Sequence, residues 1–287
     1  MNTTVLKDKF FNFCHKLDIN KKIIAFAIHL TVSLSIFAGF YFLTAFVWYP
    51  DFYFSANGVL AAMLTVALVD VGLGPVMTFV LYRPHKPGLK FDFAMIIAMQ
   101  LSALAWGTWV VYYERPLLTV YYDGSFYCLS SNQVTLANAD LSQFPPENPI
   151  PQAFLATPSN FEAAELRRIK MEHVELAPNQ PDLPPYILGD EFKALNTEQL
   201  PDMLGEELDI TRVVSQPDYQ ALWKQFLNTH KVAPHTYAFL PLHCSETDHV
   251  AAINRETGQI VDAIPIPSFQ ASRKKVLPAS DLEQQEI

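Results

Sequence analysis

The sequence predicts a membrane protein in two parts: three transmembrane helices, then an exported α+β domain with an antiparallel sheet. Three observations carry this reading. The stretches Ile23–Tyr49, Gly58–Tyr82 and Phe91–Tyr113 are apolar and long enough to cross ~30 Å of hydrocarbon, which takes roughly 20 residues. Lys and Arg flank these stretches unequally. Residues 116–287 change in character, holding 11 Lys/Arg against 23 Asp/Glu in a chain of net charge −9.

The N-terminal segment, residues 1–22, is basic through Lys7, Lys9, Lys16, Lys21 and Lys22. The first apolar stretch exceeds the 7–15-residue core of a signal peptide and two more follow it, so it reads as an anchor. The loop Pro50–Asn57 carries Asp51 and neither Lys nor Arg, whereas Arg83, Lys86 and Lys90 lie between the second and third stretches. Positive charge stays on the cytoplasmic side. The N-terminus and the Arg83–Lys90 loop are therefore predicted to be cytoplasmic, and the chain from Arg115 onward exported. Trp48, Tyr49, Phe52, Tyr53 and Phe54, with Trp106, Trp109, Tyr112 and Tyr113, are expected to form an aromatic belt at the outer interface.

Asp70 sits in the middle of the second stretch, where a charge costs about 2.5–3.5 kcal/mol on insertion scales, so it is expected to face protein or water. Gly72 and Gly74 allow close helix approach, and Pro75 removes a backbone donor. One reading pairs a protonated Asp70 with Gln100 or Ser102 at similar depth in the third span. The other lets Asp70 receive a polar group from a partner helix, which makes Asp70, Gly72, Gly74, Pro75 and Gln100 the candidate binding positions. Aspartyl proteolysis needs two carboxyls sharing one site. Asp92, at the cytoplasmic edge of the third span, is too far away for that. His29 is placed near the cytoplasmic interface and in no ligand set.

In the exported domain, 116–266, Leu117–Ser130 is a predicted hairpin turning at Asp123-Gly124. Proline-rich passages surround a predicted helix, Ser159–Glu175. A second helix, Ser215–Thr229, presents a stripe of Tyr219, Leu222, Trp223, Phe226 and Leu227 expected to face the core. Thr236–Leu242, Asp248–Asn254 and Gln259–Ile266 read as an antiparallel meander, and 267–287 as a loose polar tail. Cys128 and Cys244 fall on the same side of the membrane, where a disulfide is possible; the alternative is two separate buried thiols. Cys14 stays cytoplasmic.

His230, His235, His243, Cys244 and His249 crowd together without the paired spacing of a metal site, so no metal is expected. With no phosphate loop or nucleophile elbow, the chain reads as a non-enzyme without cofactors; a membrane-anchored hydrolase is the alternative. The acidic domain argues against nucleic acid as a partner. Lipid surrounds the spans.

GVLAAMLTVALVDVGLGPVMTFVLYRP (58–84), the following run from Lys86 to Pro116, and Phe239–Ile264 together resemble the TfpX/TfpZ family of bacterial type IV pilin accessory proteins. The likeness is most specific at Asp70-Val-Gly-Leu-Gly-Pro75 and Leu89-Lys90-Phe91-Asp92. The resemblance implies a non-enzymatic inner-membrane accessory factor for type IV pilus biogenesis, with its α+β domain periplasmic. Its implied partners are a type IV major pilin and the pilus assembly machinery, and its implied role is that of a chaperone or scaffold.

Overall fold

A computed structural model of the chain describes residues 19–84, 87–145, 149–156, 184–231, 233–244, 248–268 and 271–273. The predicted helix Ser159–Glu175 and most of the tail from Pro267 lie outside them. The chain divides into two compact units: Met1–Pro50 with Val59–Tyr112, and Asp51–Gly58 with Tyr113–Ile287.

The first unit comprises α1 (Ile19–Trp48), α2 (Val59–Leu81) and α3 (Leu89–Tyr113), each long and apolar enough to cross a membrane. Large apolar side chains such as Ile28, Phe42, Leu68 and Phe91 stay exposed. A helix that is apolar all round has this character when its surroundings are apolar too. Two π-helical turns interrupt the ladder, Thr44–Trp48 at the end of α1 and Leu68–Leu73 within α2. Phe26 meets Phe79 edge-on at 6.3 Å between α1 and α2. Gly107 brings α3 against α2, where an added Cβ would collide with Val66. Tyr49, expected in an interfacial belt, is instead 2% exposed, and its hydroxyl donates to the Val111 carbonyl at 2.9 Å.

The second unit is built on a seven-stranded sheet. Its strands are β1 (Pro116–Tyr122), β2 (Ser125–Ser130), β3 (Gln152–Phe154), β4 (Lys193–Ala194), β6 (Tyr237–His243), β7 (Asp248–Asn254) and β8 (Ile260–Ile264), in the order β4-β3-β1-β2-β6-β7-β8. β5 (Leu208–Asp209) and β9 (Ser272–Arg273) pair separately. The β1–β2 turn has positive φ at both Asp123 (47°) and Gly124 (76°), the backbone a type I′ hairpin requires. The meander β6–β7–β8 is antiparallel throughout.

The sheet as a whole is mixed, which corrects the predicted antiparallel sheet. β3 runs parallel to β1, with Thr119 opposite Gln152, and β2 runs parallel to β6, with Phe126 opposite Leu242. Parallel neighbours require a long crossover between them. The segments joining β1 to β3 and β2 to β6 provide it.

Both faces of the sheet are covered. α4 (Ser131–Leu136) starts in a capping box of Ser130 and Gln133, and its Val134 joins Leu118, Val120, Leu129, Phe144 and Phe192 in one core. α5 (Pro217–His230) lays its predicted stripe on Tyr237, Phe239, Val250 and Ala252. The alternate residues Leu240, Leu242, Ala251 and Ile253 are fully buried on the other face. Burying each Leu or Ile is worth about 1.5–3 kcal/mol. Away from the ladder, the Gln152 side chain on β3 accepts the Ile260 N–H of β8 at 3.4 Å.

Cys128 and Cys244 form a disulfide, Cα atoms 4.8 Å apart and 116 residues apart in sequence. Closing a loop of that length stabilises the fold by about 4–5 kcal/mol in the chain-entropy model. Arg255 clamps the buried Glu207 at 2.5 Å and also donates to the Tyr237 carbonyl. The loop Asp51–Gly58 belongs to this unit: Tyr53 is 6% exposed and shares a 2.6 Å hydrogen bond with Thr119 of β1. Burial pushes the Tyr53 hydroxyl well above its usual pKa. Tyr53 is thus a core residue of the sheet domain, not the belt aromatic expected from its position.

Candidate functional site

The polar centre of the helical unit begins with Pro75. In the π turn of α2 the Gly74 N–H bonds the carbonyl of Val69, five residues back. The same spacing would assign the Asp70 carbonyl to residue 75, but proline has no N–H to give. Gln100 of α3 supplies the missing donor, its Nε2 donating to the Asp70 backbone oxygen at 3.0 Å. Gly74 makes room for this, since a Cβ there would overlap the Gln100 carboxamide.

The other end of Gln100 is held by His29 of α1, whose Nε2 lies 2.9 Å from Oε1, while His29 Nδ1 lies 2.5 Å from Thr78 Oγ1 of α2. With the Gln100 amide nitrogen committed to Asp70, its oxygen accepts from His29 Nε2–H. A neutral imidazole then accepts at Nδ1 from the Thr78 hydroxyl. This tautomer is assigned from the network. Donation runs one way, Thr78 to His29 to Gln100 to the Asp70 carbonyl, and ties all three helices together at one level.

The Asp70 carboxyl stands outside that chain of bonds. It is 7% exposed, and neither oxygen has a hydrogen-bond partner among the described residues. It lines a cavity of about 240 Å³ between α1 and α3, walled by Val32, Ile36, Phe37, Ile97 and Leu101. A second cavity of about 500 Å³ shares His29, Val32 and Ile97 and continues between the same two helices to Lys21 and Phe93. The result is an apolar slot with one unsatisfied carboxyl in its wall.

Over 112 residues the chain is 37% identical to the "Fimbrial assembly protein, serogroups C1 and C2" of Dichelobacter nodosus, a match covering 38% of this chain and 85% of that relative. The chain belongs to the fimbrial assembly protein family. It is also 35% and 34% identical, over 126 residues, to the fimbrial assembly proteins of serogroups I and E1 of the same organism. Those matches cover 41% of this chain, and the chain spans about half the length of these two relatives (49% of each). No family model matches the chain. No solved structure matches it either.

Within this fimbrial assembly family member, the structure brings Asp70, Gly74, Pro75 and Gln100 together but not as either reading of the sequence arranged them. Gln100 reaches the backbone of Asp70, not its side chain, and Ser102 donates back to Ala98 of its own helix at 2.8 Å. Among the described residues a Cβ at Gly72 would meet only Leu68 of its own helix at 3.7 Å, so Gly72 mediates no close helix approach there. His29 was missed as a member of the site. Its signal was depth: it lies ten residues after Ile19, while Gln100 lies eleven after Leu89 and Asp70 eleven before Leu81. Starting the first span at Ile23 hid this, because α1 already includes Ile19–Lys22.

In the sheet domain His230 pairs with Asp262 at 2.8 Å and His243 with Asp248 at 2.7 Å. Among the described residues no three His, Cys, Asp or Glu side chains converge as a metal site would need. Tyr127 and Tyr186 have raised hydroxyl pKa values, chiefly because burial disfavours the phenolate.

Proposed function

We propose that this protein is an accessory factor for type IV pilus biogenesis that binds a pilin and assists its stability or assembly without enzymatic chemistry. It is held in the bacterial inner membrane with its N-terminus cytoplasmic and its sheet domain periplasmic, working beside the pilus assembly machinery as a chaperone or scaffold. Kinship with fimbrial assembly proteins supports the process. The observation that carries the mode of action is the slot between α1 and α3. It is apolar and bears a buried carboxyl that has no hydrogen-bond partner among the described residues. Asp70 and Gln100 line that slot, and Gly74 and Pro75 set the place of Gln100 beside Asp70, while Gly72 takes no part in it.

Catalysis by Asp70 has less support, because a water-activating pair needs two carboxyls at one site. Asp92, the other acid of these helices beyond Asp70, lies eight residues from Gln100 along α3, or about 12 Å of helix rise. The test is deletion of the gene followed by counts of surface pili and of pilin in the membrane. Pili are expected to fall at least tenfold and to return with the intact chain. Unchanged piliation would overturn the proposal.

A further inference from the structure

The network just described accounts for Pro75, Gly74, Gln100, His29 and Thr78, and leaves out the Asp70 carboxyl. A buried carboxyl without a partner is costly in an apolar setting. Among the described residues nothing completes this point. Resting on the pilin-binding reading, we infer that the slot seats one membrane-spanning helix of the pilin, and that Asp70 accepts a hydrogen bond or ion pair from a donor group carried at mid-depth on that helix. The pairing fixes how deep the pilin helix sits.

Depth selects a helix over a lipid. Asp70 lies eleven residues from Val59 and eleven from Leu81, about 16 Å of helix rise from either end. Lipid headgroup donors sit at the interface, roughly 15 Å from the bilayer centre, and acyl chains carry no donor. Length agrees. The α1 wall of the joined cavities runs from Lys21 to Phe37, about 24 Å at 1.5 Å per residue, the scale of a helix and not of a single side chain. The walls are also ready to be covered: Ile36, Ile97 and Leu101 are 47%, 49% and 57% exposed.

A second copy of this chain fits less well. Its exposed Ser and Thr hydroxyls on the three helices, Thr31, Ser35, Thr65 and Ser102, already donate to carbonyls one turn back in their own helices. A second copy would bring Asp70 no spare hydroxyl from these positions.

The experiment is in-cell photo-crosslinking with the full chain in its own membrane. Benzoylphenylalanine is placed at Ile36 or Leu101 in the slot, at Leu64 on α2 outside it, and at Val261 in the sheet domain. Slot probes should capture the pilin's membrane segment, mapped by mass spectrometry within about one helical turn of a donor-bearing residue, and Leu64 should not. Asp70→Leu should lower the slot adduct at least tenfold at equal protein level and with the Cys128–Cys244 disulfide intact. If Asp70→Leu fails to accumulate, the wild-type adduct map decides alone. Slot adducts made only of lipid or of a second copy, or an Asp70→Leu adduct of undiminished yield, would overturn the inference. Pilin captured at Val261 but never in the slot sinks this inference and spares the pilin reading; capture at neither place sinks both.

Discussion

The two units treat buried polar groups differently. In the sheet domain, Glu207 at 5% exposure meets Arg255, and Tyr53 at 6% meets Thr119. In the helical unit, Thr44 Oγ1 and both carboxylate oxygens of Asp70 are buried with no partner among the described residues. An unmet buried donor or acceptor costs about 1–3 kcal/mol, more when charged. One unit is therefore closed on itself, cross-linked by a disulfide and covered on both sheet faces. The other carries an unmet demand at its centre, and that is where a partner can act with most leverage.

Asp70→Leu attacks this contrast most directly. It should cost at least tenfold in surface pili counted by electron microscopy, while the purified chain in detergent unfolds at the same temperature or higher, since an apolar residue replaces an unpaired buried acid. A variant that unfolds at a clearly lower temperature would mean Asp70 serves packing, and the contrast would collapse. Next in size, Arg255→Ala should destabilise the sheet domain by about 3 kcal/mol in denaturant titrations, because it removes the ion pair from the buried Glu207 carboxylate and the bond to the Tyr237 carbonyl together. A negligible change would show that this domain, too, tolerates the loss of a buried acid's ion pair.

The backbone rescue at Asp70 sharpens the comparison at smaller scale. Gln100→Leu leaves that carbonyl without its donor and should cost about 1 kcal/mol. Pro75→Ala restores an N–H at the position facing it, so the double variant should recover part of the loss in a mutant cycle. Simple additivity would sink the proline account.

The smallest effect concerns alkaline stability. Burial pushes the Tyr186 hydroxyl up to about 12, from an ordinary value of 10. Its folded pKa exceeds the unfolded one, so its contribution is full below pH 10 and is lost as pH rises from 10 towards 12. Tyr186→Phe should flatten the domain's stability curve over that window and leave it unchanged in slope near pH 7.

Much of the architecture could be read in short range. The three apolar runs, the Asp123-Gly124 turn, the β6–β7–β8 meander and the stripe on α5 are all spacing within one element or between adjacent ones. The candidate site was half legible. Asp70, Gly74 and Pro75 announce a disturbed helix, but the identity of the donor that repairs it lies on another helix. Gln100 reads from its depth as a partner for the Asp70 carboxyl and not for its backbone, and His29 falls near the interface when its span is counted from Ile23. Tyr49 and Tyr53 carried the usual mark of interfacial aromatics and turned out to be bolts within their own units.

By itself, the sequence determined which segments are apolar enough to cross a membrane, where the chain turns sharply, and that an acid stands in the middle of α2. These follow from hydropathy and local dihedral preference, which act over a few residues. Only the tertiary structure decided that β3 and β2 lie parallel to β1 and β6, that Gln100 reaches a backbone carbonyl, and that the Asp70 carboxyl is left facing an apolar slot. Strand neighbours and hydrogen-bond partners across helices are chosen by the packing of distant segments, and a side-chain amide goes to whichever buried acceptor has lost its own donor. Pro75 removes that donor from Asp70, and the fold puts Gln100 in its place.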